Sequence, residues 1–131
     1  MTITLTCLAL AAWHEAREHY TQPDAMAAVV AVVMNRADDP RYPNTACGVI
    51  SEPGQFPWYT TAEPPNPTAA PDKWAWDVAQ VVALNEMAGV GLDIPSTHFH
   101  TVGKPQYWVD GYQFDGCIGG NCYFTNETPY P

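Results

Sequence analysis

Basic side chains are scarce in this 131-residue chain: Arg17, Arg36, Arg41, Lys73 and Lys104 stand against fourteen Asp and Glu. They are scattered, so no basic patch can track a phosphate backbone, which argues against nucleic acid as a partner. It argues equally against steering toward a polyanionic surface. No apolar run reaches the roughly 18 residues that a membrane-spanning helix needs. Internal repeats and low-complexity segments are absent. The glycines between Cys117 and Cys122 precede no predicted helix and have no lysine nearby, so no nucleotide-binding loop is present. His14-Glu15-Ala16-Arg17-Glu18 begins like a zinc-protease helix but lacks the second histidine.

What is present describes a globular chain. Hydrophobic residues make up 47% of it, and its length suits one domain spanning residues 1–131. Thirteen prolines, about twice the usual share of roughly 5%, point to much ordered loop. The apolar start resembles a secretory signal, but it has no basic leading region and runs into Glu15 and Arg17. It is therefore expected to be a mature helix, with delivery left to another factor.

Residues 3–18 read as the first helix. Thr21-Gln22-Pro23-Asp24 is a helix-start signal, and a second helix is expected from Ala25 to about Ala37, stopped by Asp38-Asp39-Pro40. Thr45–Ile50 reads as a short strand. After the turn Glu52-Pro53-Gly54-Gln55, Phe56–Thr60 reads as its return, so a β-hairpin is expected there. Asp72–Ala88 reads as a third helix ending at Gly89. Beyond Gly91 come extended fragments: Thr97–His100, Tyr107–Val109 and Cys122–Phe124. Helices first and strands later make the class α+β. Asn126-Glu127-Thr128 matches a glycosylation acceptor.

Four cysteines allow three pairings. Cys117 and Cys122 close a short loop and are the favoured disulfide. Cys7 and Cys47 either pair, if their elements touch, or stay as buried thiols.

Glu15 is the foremost candidate for chemistry. The preceding run, Leu5 to Trp13, carries no charge, and Leu8, Ala11, Ala12 and Glu15 fall on one helical stripe. A carboxylate on such a stripe loses solvent, which favours its neutral form. A neutral acid at neutral pH is a proton donor, as cleavage of a glycosidic bond requires. Glu52, Gln55 and Phe56, at the expected hairpin, are candidates for contacting a sugar. His98 and His100 share one face of a strand. They are read as substrate contacts, or in the alternative as two ligands of a zinc-dependent amidase or peptidase. Tyr107 and Trp108, with Trp58 and Tyr59, are suited to stacking on sugar rings; a wall-binding module without catalysis would use the same aromatics.

Several short segments, in order along the chain, resemble the spore-cortex-lytic and cell-wall hydrolase family, which includes germination enzymes and phage endolysins. They are Cys7–Leu10 with His14–Arg17; Val32–Arg36; Tyr42–Ile50; Gln55-Phe56; Thr97–His100; and Ile118-Gly119 with Tyr123-Phe124. The resemblance implies a lysozyme-like α+β fold, peptidoglycan as substrate and Glu15 as the catalytic acid. It also implies a groove lined by Gln55, Phe56, His98 and His100. It implies no cofactor or metal and places the action at the cell wall, in the periplasm or outside the cell. A monomer acting on a glycan strand is expected, by lytic transglycosylation or by hydrolysis as a muramidase. The chain departs from the family pattern at Glu18, His19, Ala25-Met26 and Asn121, the last standing where the family has histidine.

Overall fold

A computed structural model describes residues 2–126; Glu127 and Thr128 of the acceptor pattern and the tail Pro129–Pro131 lie outside them. Four helices, α1 (Ile3–Ala16), α2 (Pro23–Ala37), α3 (Ala46–Ile50) and α4 (Ala70–Met87), precede three strands: β1 (His98–Thr101), β2 (Tyr112–Ile118) and β3 (Asn121–Asn126). The sheet is antiparallel in the order β1-β3-β2. None of the described helices is long and apolar enough to cross a membrane.

Helix α1 is the centre of the helical part. Thr2 caps it, its hydroxyl accepting from the Leu5 amide at 3.1 Å. Cys7 through Trp13 are buried without interruption, so this helix is apolar all round rather than striped, as helices packed on every side are. It lies against α2, α3 and α4. The Trp13 indole donates to the Asp72 carbonyl at 3.1 Å, fixing the start of α4 beside the end of α1. A second, smaller core joins α2 to the sheet: Ala28, Val32 and Tyr123, with Phe99 and Ile118 packed against them.

The expected strand at Thr45–Ile50 is instead α3. Thr45 is extended and accepts from the Gly48 amide at 3.0 Å, which makes it an N-cap rather than a strand residue. A side chain at Gly48 would meet Pro43 and Thr45 at 2.9 Å, so the tight turn needs glycine. Phe56–Thr60 is turn and irregular chain; the hairpin expected around Gln55 does not exist. The hairpin that does exist is β2–β3, turned at Gly119-Gly120 and stapled where Cys117 pairs with Cys122 in register. Tyr107–Val109 is likewise no strand and leads into a single 3₁₀ turn at Val109–Gly111. Both disulfides form, and the second, Cys7–Cys47, ties α1 to α3.

Candidate active site

Helix α1 ends just past Glu15: Ala16 leaves helical geometry and Arg17–His19 tighten into a 3₁₀ turn. Glu15 thus sits where the buried helix emerges, half-covered by its surroundings. Its carboxyl is held above the ordinary range, mainly by burial and further by the nearby charge of Glu18; a hydrogen bond from Trp58 works in the opposite direction. The unpaired carbonyls of a helix C-terminus also disfavour an anion there. The Trp58 indole N–H donates to Glu15 Oε1 at 2.9 Å.

Glu15 lines a recess of about 170 Å³ together with Glu18, His19, Thr101, Gly120 and Asn121. The near wall is the end of α1 and its 3₁₀ turn; the far wall is the β1–β3 edge and the hairpin tip. The hairpin approaches because Gly120 has no side chain: a Cβ there would sit 2.8 Å from His19 Nε2. At this volume the recess accepts a ring substituent rather than a whole ligand, for which sites of about 300–1,000 Å³ are usual. A larger hollow, about 450 Å³ beside Arg41, Pro95 and Asn126, holds Asp39, but that carboxylate is paired with Arg41 at 2.7 Å, which holds it below the ordinary carboxylate range, the reverse of a proton donor.

Glu52 does not face this recess. It lies after α3, where its charge acts on the buried guanidinium of Arg36. Arg36, 5% exposed, donates to the Thr97 carbonyl at 2.7 Å and to Gln55 Oε1 at 3.3 Å. It therefore pins the loop after α3 to the start of β1. Gln55 is exposed beside it. Phe56 is only 5% exposed and belongs to the core. It has no free face for a sugar and instead backs Trp58, with ring centroids 5.7 Å apart.

His98 and His100 do share a face, as expected, but it is the opposite face from the recess. The register sets His98 beside Phe124 and His100 beside Cys122, whereas Thr101 and Asn121, which line the recess, pair on the other side. His98 packs against Tyr42, Trp108 and Tyr112. Burial, aided by Arg36 and Arg41, lowers its pKa to about 4, so it is neutral at pH 7. His100 stacks on Phe124 at 5.3 Å. Its Nδ1 lies 2.7 Å from the Thr101 carbonyl and so must be the protonated nitrogen. Trp108 is half-buried among these rings, and Tyr107, 96% exposed, stands free of them. Among the described residues no three His, Cys, Asp or Glu side chains converge as a metal site requires, so the zinc alternative has no ligand set here.

The structure therefore brings Glu15 together with Trp58, Glu18, His19, Thr101 and Asn121. It leaves Gln55 with Arg36, and the histidines with Trp108. Trp58 looks like a sugar-stacking ring in the sequence but bonds the acid. Asn121, visible in the sequence only as a departure from a motif, forms part of the recess wall.

A family model described as Cell Wall Hydrolase matches residues 21–124, a stretch that begins after Glu15. No curated protein matches the sequence. Among solved structures, the catalytic domain of the germination-specific lytic transglycosylase SleB from Bacillus anthracis superposes with a TM-score of 0.70. The two are 21% identical, and the match covers 95% of this chain and 96% of that one. The shared architecture is the lysozyme-like α+β fold, with its helices first and its small sheet after.

Proposed function

The chain belongs to the cell wall hydrolase family, and on that premise we propose that it degrades peptidoglycan by cleaving the β-1,4 bond from N-acetylmuramic acid to N-acetylglucosamine. The observation that carries this reading is the desolvated carboxyl of Glu15 on the wall of a recess. Such a group keeps its proton to higher pH than a solvated glutamate and donates it to the departing oxygen. The muramoyl C1 then carries the positive character.

Two routes complete the reaction. In the first, Glu15, now ionised, takes the proton of the muramoyl 6-hydroxyl. That oxygen bonds to C1, the 1,6-anhydro ring closes, and the carboxyl is protonated again with no water consumed. This lytic transglycosylation needs one acid only, and it is the route we propose. In the second, water attacks C1 and a second carboxylate takes its proton. Glu18 is the candidate, because it lines the same recess and its charge acts on Glu15. Its side chain is 68% exposed, so the water it would activate can reach it.

The test combines a variant with product analysis on purified murein. Glu15→Gln keeps the size of the side chain and removes the proton. It should lower the rate at least roughly 10²–10⁴-fold, the usual worth of general acid catalysis, with unchanged circular dichroism. Muropeptides lighter by one water than reducing-end products identify the transglycosylase; reducing ends identify the muramidase. Full activity in the Glu15→Gln protein removes the proposal altogether.

A further inference from the structure

The hydrogen-bond partner of Glu15 comes from a loop 43 residues away and is itself packed among other rings. The Trp58 ring lies parallel to the ring of His14, at 4.3 Å between centroids and 8° between planes. His14 in turn meets the edge of Trp13 at 4.8 Å. Phe56 packs against the same indole, tilted to it, at 5.7 Å between centroids. Two consecutive residues at the end of α1 are thus engaged by a single indole: His14 by its face and Glu15 by its N–H.

We propose that Trp58 is a positioning residue for the Glu15 acid, selecting which carboxyl oxygen carries the proton, and that the stacked His14 ring fixes the plane in which Trp58 does so. The proposal rests on the reading of Glu15 as the acid. A carboxylic acid can place its proton on either oxygen. An indole nitrogen only donates, and the carbonyl oxygen of a protonated carboxyl is its better acceptor, so Oε1, which faces that N–H, is favoured as the unprotonated oxygen. The proton is left on Oε2, and the donor direction is set before substrate arrives. The imidazole that stacks on Trp58 also carries no proton charge at neutral pH: His14 is held below its ordinary range by burial and by Arg17. The charged or titratable groups facing Glu15 are Glu18 and His19 from the 3₁₀ turn and Tyr123 from β3; none of them is a fixed cation that replaces the indole N–H.

The experiment measures the maximal rate of murein solubilisation against pH for wild type, Trp58→Phe, His14→Ala, His14→Phe and Glu15→Gln. Trp58→Phe keeps the stack and loses only the donor. Its maximal rate should fall roughly 10–100-fold, as misplacement of a reacting group does. Its alkaline limb should move to higher pH, because the lost N–H favoured the ionised carboxyl. A purely structural role would change the amount of folded protein and leave that limb in place. His14→Ala should move both readouts in the same directions, and His14→Phe, which restores a stacking ring, should recover most of the loss. A Trp58→Phe enzyme with wild-type rate and limb overturns the proposal, as does a His14→Phe enzyme no better than His14→Ala. If Trp58→Phe does not fold, the two His14 variants decide alone. Activity in Glu15→Gln instead overturns the reading beneath; an inactive Glu15→Gln beside an unaffected Trp58→Phe removes only the positioning role.

Discussion

The two disulfides should differ about twofold in what they contribute to stability, and removing the larger contribution should disturb the site. Cys7–Cys47 joins residues 40 apart in sequence, and Cys117–Cys122 residues 5 apart. The chain-entropy relation for cross-links gives about 4 kcal/mol for the first loop and about 2 kcal/mol for the second at 25 °C. The hairpin turn already holds Cys117 and Cys122 opposite one another, so the second figure is an upper bound. For a chain of this length each kcal/mol moves the melting temperature by about 4 °C. The double variant Cys7→Ala/Cys47→Ala should therefore melt about 15 °C below wild type, and Cys117→Ala/Cys122→Ala at most about 8 °C below it. Alanine is the right replacement because Cys7 is fully buried, and serine would add an unpaired hydroxyl. Calorimetry under non-reducing conditions reads both. The site is coupled to the first bridge through α3, whose following loop delivers Trp58 to Glu15. The first variant should accordingly lose murein activity below its melting temperature, whereas the second should lose less. If the two variants melt together, closure of the long loop is not what holds α3 to α1, and the reasoning fails.

Two further substitutions probe the sheet side. The Tyr123 hydroxyl is buried and reaches toward Asn121 without closing a hydrogen bond of normal geometry. Tyr123→Phe should therefore stabilise the protein by about 1 kcal/mol, seen as a higher denaturant midpoint at unchanged slope; a lower midpoint would mean that the hydroxyl is bonded in solution. Gly119 has φ +59° and a Cβ there would meet Ala25 Cβ at 2.7 Å. Gly119→Ala should cost about 1–3 kcal/mol by overpacking and lower activity by lifting the hairpin from the recess. Gly111→Ala, with open space around it, should stay within about 0.5 kcal/mol.

The helices were legible because their signals are local. Pro23 opens α2 where a start signal stood, and Gly89 follows the end of α4 with positive φ. The segment Ala46–Ile50 was not legible, since five residues are too few for a period to separate helix from strand. Val49 and Ile50 favoured strand, while the Thr45 cap outweighed them. Strand β2 was hidden by an inverted pattern. Phe114 is exposed, while Asp115 accepts from Ser96 Oγ at 2.6 Å and from Thr125 Oγ1 at 2.5 Å. The register shifts at this same residue, between Phe114 and Gly116. A polar residue turned inward is satisfied by partners far along the chain, and composition cannot name them.

The site divides along the same line. Glu15 could be singled out as a candidate because its apolar run and its position at a helix end are contiguous in sequence. Trp58 could not be assigned to it, because the contact depends on how the loop after α3 is drawn back by Cys47 and Arg36. The two histidines show a subtler limit. Alternation tells which residues share a face, but not which face is covered. The deciding residue was in view: Phe99 stands between them. A strand laid on a helical core turns its apolar member inward, here against Tyr123 and the α2 surface. His98 and His100 must then point away from the helices, and Thr101, the next residue of Phe99's parity, must point toward them. That parity is why a threonine, and neither histidine, lines the recess that Glu15 shares.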